Sequence, residues 1–230
     1  MMEFEENNNV QASSDLDMRS TLGKTFLWMF MGLLATAIVA VFCATTGITE
    51  TFALSGGLAI ACILELVVVL VFSLCFRKLS SGTVTVLFFL YSMISGITLS
   101  TIFFVYEIES IALSFFGTAG VFGTLAYMGY KTDRDVSSMG TILITGLIVS
   151  IIVSIINLFV MNSILEVVLN WVILAIFLGF TIYDMNKIKN ILESGEYESD
   201  KVAIYGAMEL YLDFINIFIR ILLIFGKRRN

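Results

Sequence analysis

Acids stand inside stretches apolar enough to cross a bilayer, among them Glu65, Asp184, Glu209 and Asp213. The last two belong to residues 202–225, VAIYGAMELYLDFINIFIRILLIF, which also carry Asn216 and Arg220. Spacings of four, three and four put Glu209, Asp213, Asn216 and Arg220 on one stripe of a helix, with Leu, Ile, Phe and Tyr on its other faces. A charge near the bilayer centre costs at least ~2.5–3.5 kcal/mol, so such a stripe persists only where it faces protein or a water-filled cavity. Ionisable groups held there mark ion pathways and proton relays, which makes Glu65, Glu209, Asn216 and Arg220 candidates for an ion pathway.

Asp184 occurs in GFTIYDMNKIKN near the end of the preceding apolar stretch, and Asp213 lies three turns into the last one. The short connection between the two makes their helices antiparallel. If the first continues to about residue 192, a rise of ~1.5 Å per residue leaves both carboxylates roughly 12–17 Å below the shared end. Two carboxylates in one low-dielectric site cannot both ionise cheaply, so the pair is expected to titrate as a unit and to act as a pH-sensitive latch. Arg77, after LELVVVLVFSLCF, is the nearest candidate counter-ion besides Arg220; it would bridge ionised carboxylates and release protonated ones. The plainer alternatives are that Arg77 and Lys78 snorkel to the head groups, and that Asp184 offsets Lys187 and Lys189.

The elements that must position these groups follow from composition. The chain is 58% hydrophobic and 14% charged, against roughly 25% charged in a soluble domain, so it belongs in membrane. Apolar runs of the ~20 residues needed to cross a bilayer number seven: 25–46, 52–76, 83–105, 111–130, 139–161, 164–186 and 202–225. The expected fold is an all-α membrane protein of seven transmembrane helices over 21–230, preceded by a disordered acidic tail at 1–20. That tail has no early apolar core and does not read as a secretory signal. Arg19, Lys24, Arg77, Lys78, Lys131, Arg134, Lys187, Lys189 and Lys201 fall at one set of ends, and the TGITE, EIES and MNS loops at the other set carry no cation. The cationic side is therefore expected to be cytoplasmic, with the amino terminus inside. Lys227, Arg228 and Arg229 then finish outside, against the same rule; a re-entrant last segment would return them, and a full span is preferred because 24 residues suffice.

Cys43, Cys62 and Cys75 lie in or at the ends of spans and are expected to act as small buried hydrophobes. There is no His, which argues against zinc, and no Pro, so a broken span must use Gly, Ser or Thr. The net charge of −6 and the lack of a basic patch give no sign of nucleic acid. Small residues recur at packing intervals: Ser92, Gly96 and Ser100; Ser114, Gly117, Gly120 and Gly123; Gly146, Ser150 and Ser154. No nucleotide-binding glycine motif is present.

IYDMNKIKN with Asp184, and LYLDFINIFIRILLIFG with Asp213, resemble the two most characteristic stretches of the transmembrane Bax inhibitor motif family. FLYSMISGITLSTIF at 89–103 and TAGVFGTLAYMGYKTDRDVSSMG at 118–140 resemble its third span and its fourth span with the following loop. The likeness covers nearly everything after about residue 20 and is greatest to the small prokaryotic members, whose place is the plasma membrane. It implies a seven-helix fold with the last helix central, and a pH-sensitive calcium leak. The family's paired aspartates match Asp184 and Asp213, and their arginine partner most nearly matches Arg77. Calcium prefers oxygen ligands, and a leak needs weak, multi-site binding, so Asp184 and Asp213 would be transient ligands of a transported ion; no cofactor is expected.

Two other classes compete. Tyr-Asp on one span and Asp on the next is similar to intramembrane aspartyl proteases, but the GxGD motif is missing, Asp213 follows Tyr-Leu, and no Pro-Ala-Leu segment exists. No catalytic residue is therefore assigned. A regulator that binds a membrane-anchored, ATP-dependent protease through the acidic tail is the second, and it can coexist with transport.

Overall fold

Backbone inside hydrocarbon must satisfy its own N–H and C=O groups, and the apolar runs accordingly fold as helices. The computed structural model describes residues 2–134 and 136–229, with side chains from Asp17 onward. The helices are α1 (Met2–Thr46), α2 (Ile48–Ser55), α3 (Gly57–Cys75), α4 (Ser81–Leu99), α5 (Ile102–Val105), α6 (Ile108–Lys131), α7 (Ser137–Val160), α8 (Ser163–Ser194) and α9 (Ser199–Phe225). A 3₁₀ turn, Phe76–Lys78, follows α3. No strand forms among the described residues. As far as residue 16, the acidic tail expected at 1–20 falls outside the described side chains.

Among the described residues, six helical segments are long and apolar enough to span a membrane: Asp17–Thr46, Gly57–Lys78, Ser81–Val105, Ile108–Lys131, Ser137–Val160 and Ser163–Ser194. The expected second span, 52–76, is corrected to begin at Gly57, because Gly56 takes a left-handed φ of 76° and ends α2 there. Gly47 and Gly195 break the chain in the same way, at φ 79° and 62°. Met161, at φ 53°, closes the end of α7 in the same conformation. The expected seventh span falls within α9, which is not among the six. Between Val202 and Phe218, all but Glu209, Leu212 and Asn216 are buried in protein.

The chain divides into two compact units. The first comprises the chain as far as Leu99 together with Ile188–Met208. Its small-residue face works as expected: Ser92, Gly96 and Ser100 are on the buried side of α4 and its end, and a Cβ on Gly96 would sit 2.7 Å from the Thr36 carbonyl oxygen. That approach lets Thr36 Oγ1 donate to the Ser92 carbonyl at 2.8 Å. Phe72 and Tyr205 stack at 6.0 Å, and Phe76 lies 4.2 Å from Tyr205. Lys24 pairs with Asp200 at 2.6 Å, and Lys201 Nζ donates to the Arg77 carbonyl at 3.3 Å. Cys43 is buried as expected, whereas Cys62 is exposed on the apolar surface of α3.

Glu65 is half-buried on α3 and meets Thr98 on α4, whose Oγ1 lies 2.8 Å from Glu65 Oε1. Stranding a buried polar group costs about 1–3 kcal/mol, whereas removing both partners together can be nearly neutral. Thr98→Val is therefore expected to lower the melting midpoint in detergent by several degrees. Adding Glu65→Leu to that variant should recover most of the loss.

The second unit comprises Ser100–Lys187 and Glu209–Asn230. Gly129 on α6 admits α8 closely, since a Cβ there would lie 2.5 Å from the Ile182 carbonyl oxygen and 2.9 Å from Met185 Cβ. Asn186 Nδ2 donates to the Thr132 carbonyl at 2.8 Å, holding the same seam. Phe115 and Phe122 meet Phe214 edge-on at 5.2 and 5.6 Å. The α6 small stripe departs from expectation: Ser114 is buried, but Gly117, Gly120 and Gly123 face open space. Such a face allows a neighbour to approach without supplying one.

The chain's end is fastened to the loop before α6. Glu107 N donates to the Lys227 carbonyl at 3.0 Å, Arg229 N to the Val105 carbonyl at 2.9 Å, and Lys227 Nζ meets Glu107 Oε1 at 2.8 Å. The Glu107 carboxylate pushes the Lys227 ammonium above the ordinary lysine range, through a hydrogen bond and by its charge. A pKa raised by folding adds stability that is complete below the unfolded value and is lost as pH rises through the folded one. The melting midpoint of the wild type is thus expected to fall more steeply in the alkaline range than that of Lys227→Gln.

Candidate functional site

Asp184 on α8 and Asp213 on α9 are both buried, with 5% and 3% of their surface exposed. Lys187, one turn beyond Asp184, stands between two acids: its Nζ is 3.9 Å from Asp184 Oδ1 and 3.8 Å from Glu209 Oε1. Asp213 lies within Coulombic reach of Asp184, Glu209 and Lys187. Its Oδ2 is buried without a hydrogen-bond partner. Three carboxylates thus gather near one lysine; Asp184 and Asp213 are shut off from water, whereas Glu209 and Lys187 are partly exposed. Their excess negative charge calls for a proton or a passing cation.

The arrangement accounts for the choice of residues. Asp184 and Lys187 are three apart and share a face of α8, and Glu209 and Asp213 are four apart on α9. Both Lys187 contacts are at the long end of ion-pair range, so the lysine holds its acids loosely. Among the described residues, no group of three or more acid, thiol or imidazole side chains converges closely enough to cage a metal ion.

The polar stripe of α9 divides along its length. Glu209 and Asp213 join the carboxylate cluster. Asn216 Nδ2 turns back on its own helix, donating to the Leu212 carbonyl at 2.8 Å. Arg220 Nη1 donates to Asn170 Oδ1 on α8 at 2.6 Å. It also lines a cavity of about 490 Å³ among the ends of α7, α8 and α9.

Two of the expected site residues belong to the first unit. Glu65 is paired there with Thr98. Arg77 is in the 3₁₀ turn with its side chain exposed and its carbonyl accepting from Lys201. Within the second unit, the cation beside the carboxylates is Lys187, which the sequence offered, with Lys189, as the plainer alternative to Arg77. Its position three residues after Asp184 was the available signal. Asn170 and the cavity had no signal of their own, since Arg220 and Asn170 are 50 residues apart.

A family model described as inhibitor of apoptosis-promoting Bax1 matches residues 18–230. The inner membrane protein YbhL of Escherichia coli K12 is 38% identical over 221 residues, which covers 92% of this chain and 93% of that protein. An uncharacterized protein of Borreliella burgdorferi is 35% identical over 214 residues, covering 91% and 92%. Another, from Rickettsia prowazekii, is 32% identical over 221 residues, covering 94% and 93%.

Proposed function

From the chain's membership of the Bax inhibitor family of multi-pass membrane proteins, we propose that it is a non-enzymatic, pH-sensitive calcium leak of the prokaryotic plasma membrane. The observation that carries this reading is the cluster of buried Asp184 and Asp213 with part-exposed Glu209 and Lys187, in which an Asp213 oxygen is left unpaired. A cation pathway through hydrocarbon needs weak oxygen ligands and unbalanced negative charge, and the cluster supplies both. Protonation removes that charge and loosens the lysine, so the same acids would serve as conductor and latch.

In this reading α9 is a seventh span at the centre of the bundle. The burial of almost every residue from Val202 to Phe218 supports it. The start of α9 lies beside the cationic loops, through Lys24 with Asp200 and Lys201 with Arg77. Its far end is fastened to Glu107, in a loop without cations. A continuous helix of 27 residues favours a full crossing over a re-entrant segment, and the placement of cations puts the amino terminus inside and the carboxyl terminus outside. A protease-binding role would rest on the acidic tail, and deletion of residues 1–18 tests it separately from flux.

The deciding experiment is calcium uptake by proteoliposomes over a pH series. Uptake above that of empty vesicles, varying with pH, is expected. The leak reading fails if no pH gives uptake above the empty vesicles.

A further inference from the structure

Arg220 is a part-buried charged group of the second unit that the carboxylate cluster does not use. Its guanidinium offers five N–H donors. One hydrogen bond goes to the neutral Asn170 amide, and Nε is buried without a partner. Among the described residues, no carboxylate lies within ion-pair distance of it. A charge so placed is stabilised only when an anion or other strong acceptor meets it.

The cavity beside it has room for such an anion. Its volume of about 490 Å³ falls within the ~300–1,000 Å³ of small-molecule sites. Arg220 and Asn170 line it together with Ser154 and Asn157 from the end of α7, Glu166 from the first turn of α8, and apolar side chains. Glu166 is exposed and makes no ion pair with Arg220. The cavity therefore presents an unmatched cation and an unmatched anion, with neutral donors and acceptors from the amide and hydroxyl groups. A simple anion would satisfy Arg220 and meet Glu166 unfavourably. A zwitterion would satisfy both.

We propose that this cavity binds a phosphate-bearing amine, with its phosphate on Arg220 and Asn170 and its ammonium on Glu166. Arginine suits phosphate because its planar fork can give two parallel charge-assisted hydrogen bonds. The cavity lies where α7 ends at Val160 and α8 begins at Ser163, the level at which a lipid head group meets a spanning helix. Both an aminophospholipid of the surrounding leaflet and a free phosphoamine carry this chemistry.

The test uses the full chain, purified in detergent and stripped of lipid, with phosphoethanolamine, inorganic phosphate and ethanolamine as soluble probes. Phosphoethanolamine is expected to bind at least about tenfold more tightly than either fragment. Arg220→Gln should abolish binding of both phosphate compounds. Glu166→Gln, an exposed change that leaves the packing intact, should keep phosphate binding and erase the preference for the amine. Native mass spectrometry of protein from vesicles mixing phosphatidylethanolamine and phosphatidylglycerol separates the sources. Selective retention of phosphatidylethanolamine assigns the lipid, and retention of neither lipid alongside soluble binding assigns the free compound. The proposal is overturned if no phosphate compound binds the folded wild type. It is also overturned if a folded Arg220→Gln binds phosphoethanolamine as the wild type does, or if Glu166→Gln keeps the amine preference.

Discussion

Asp213→Asn will hold calcium uptake at a single level across the pH series, and that level will match the acid plateau of the wild type. The reason is chemical: Asn has the shape of a protonated Asp and cannot ionise, so the variant is locked in the protonated arrangement at every pH. A single titration step of a coupled carboxylate site passes from about one-tenth to nine-tenths ionised over roughly two pH units, and wild-type uptake should change by about tenfold over such a window. In the variant the change should be under about twofold. Asp213 is the residue of choice because it is buried with an unpaired oxygen and feels both other acids and Lys187. Lys187→Gln should keep a pH-dependent uptake but displace its midpoint, because that ammonium stands at Asp184 and Glu209. A wild-type pH profile in Asp213→Asn, with uptake itself intact, would leave the leak standing and remove the latch.

Gly129→Leu is expected to cost the protein its fold, and Gly129→Ala to lower the melting midpoint by several degrees. A Cβ at this position would lie 2.5 Å from the Ile182 carbonyl oxygen, a backbone atom that moves only with α8 itself. Forcing extra atoms into a closed seam costs about 1–3 kcal/mol for a single methyl, and more for a branched side chain. In a chain of this length, each kcal/mol shifts the midpoint by roughly 2–4 °C. The seam also fixes the site, because Ile182 and Met185 flank Asp184 on α8. Gly129→Ala should therefore disturb the pH profile as well as the melt. Gly117→Ala is the contrast: its Cβ meets nothing within 4 Å and alanine suits a helix better than glycine, so the melt should not fall and should rise by a few degrees at most.

Much of the fold was legible because hydrocarbon leaves the backbone few choices. Apolar runs of span length had to be helices, and cation placement separated their ends into two groups. The exceptions were local. Gly56 divided a run that composition alone presented as continuous, and α8 ran on to Ser194, past the end of the apolar run at residue 186. The three small-residue stripes carried the same signal with different outcomes. That of α4 closed on α1, whereas Gly117, Gly120 and Gly123 of α6 stayed open, since small side chains state that an approach is permitted and not which helix makes it.

The site was legible to the extent that chemistry is local in sequence. Buried acids announce themselves by their surroundings, and the four-residue step from Glu209 to Asp213 already puts them on one face. The sequence by itself thus determined a helical membrane protein with carboxylates held among apolar side chains. Only the tertiary structure decided which charges meet. Lys187 reaches Glu209 from the neighbouring helix, Arg220 finds Asn170 and a cavity, and Glu65 settles on Thr98. Such pairings depend on the rotation and depth of each helix in the packed protein. Those are set by contacts such as Gly129 on Ile182 and Phe115 on Phe214, which sum over many residues and leave no mark at the charged positions themselves.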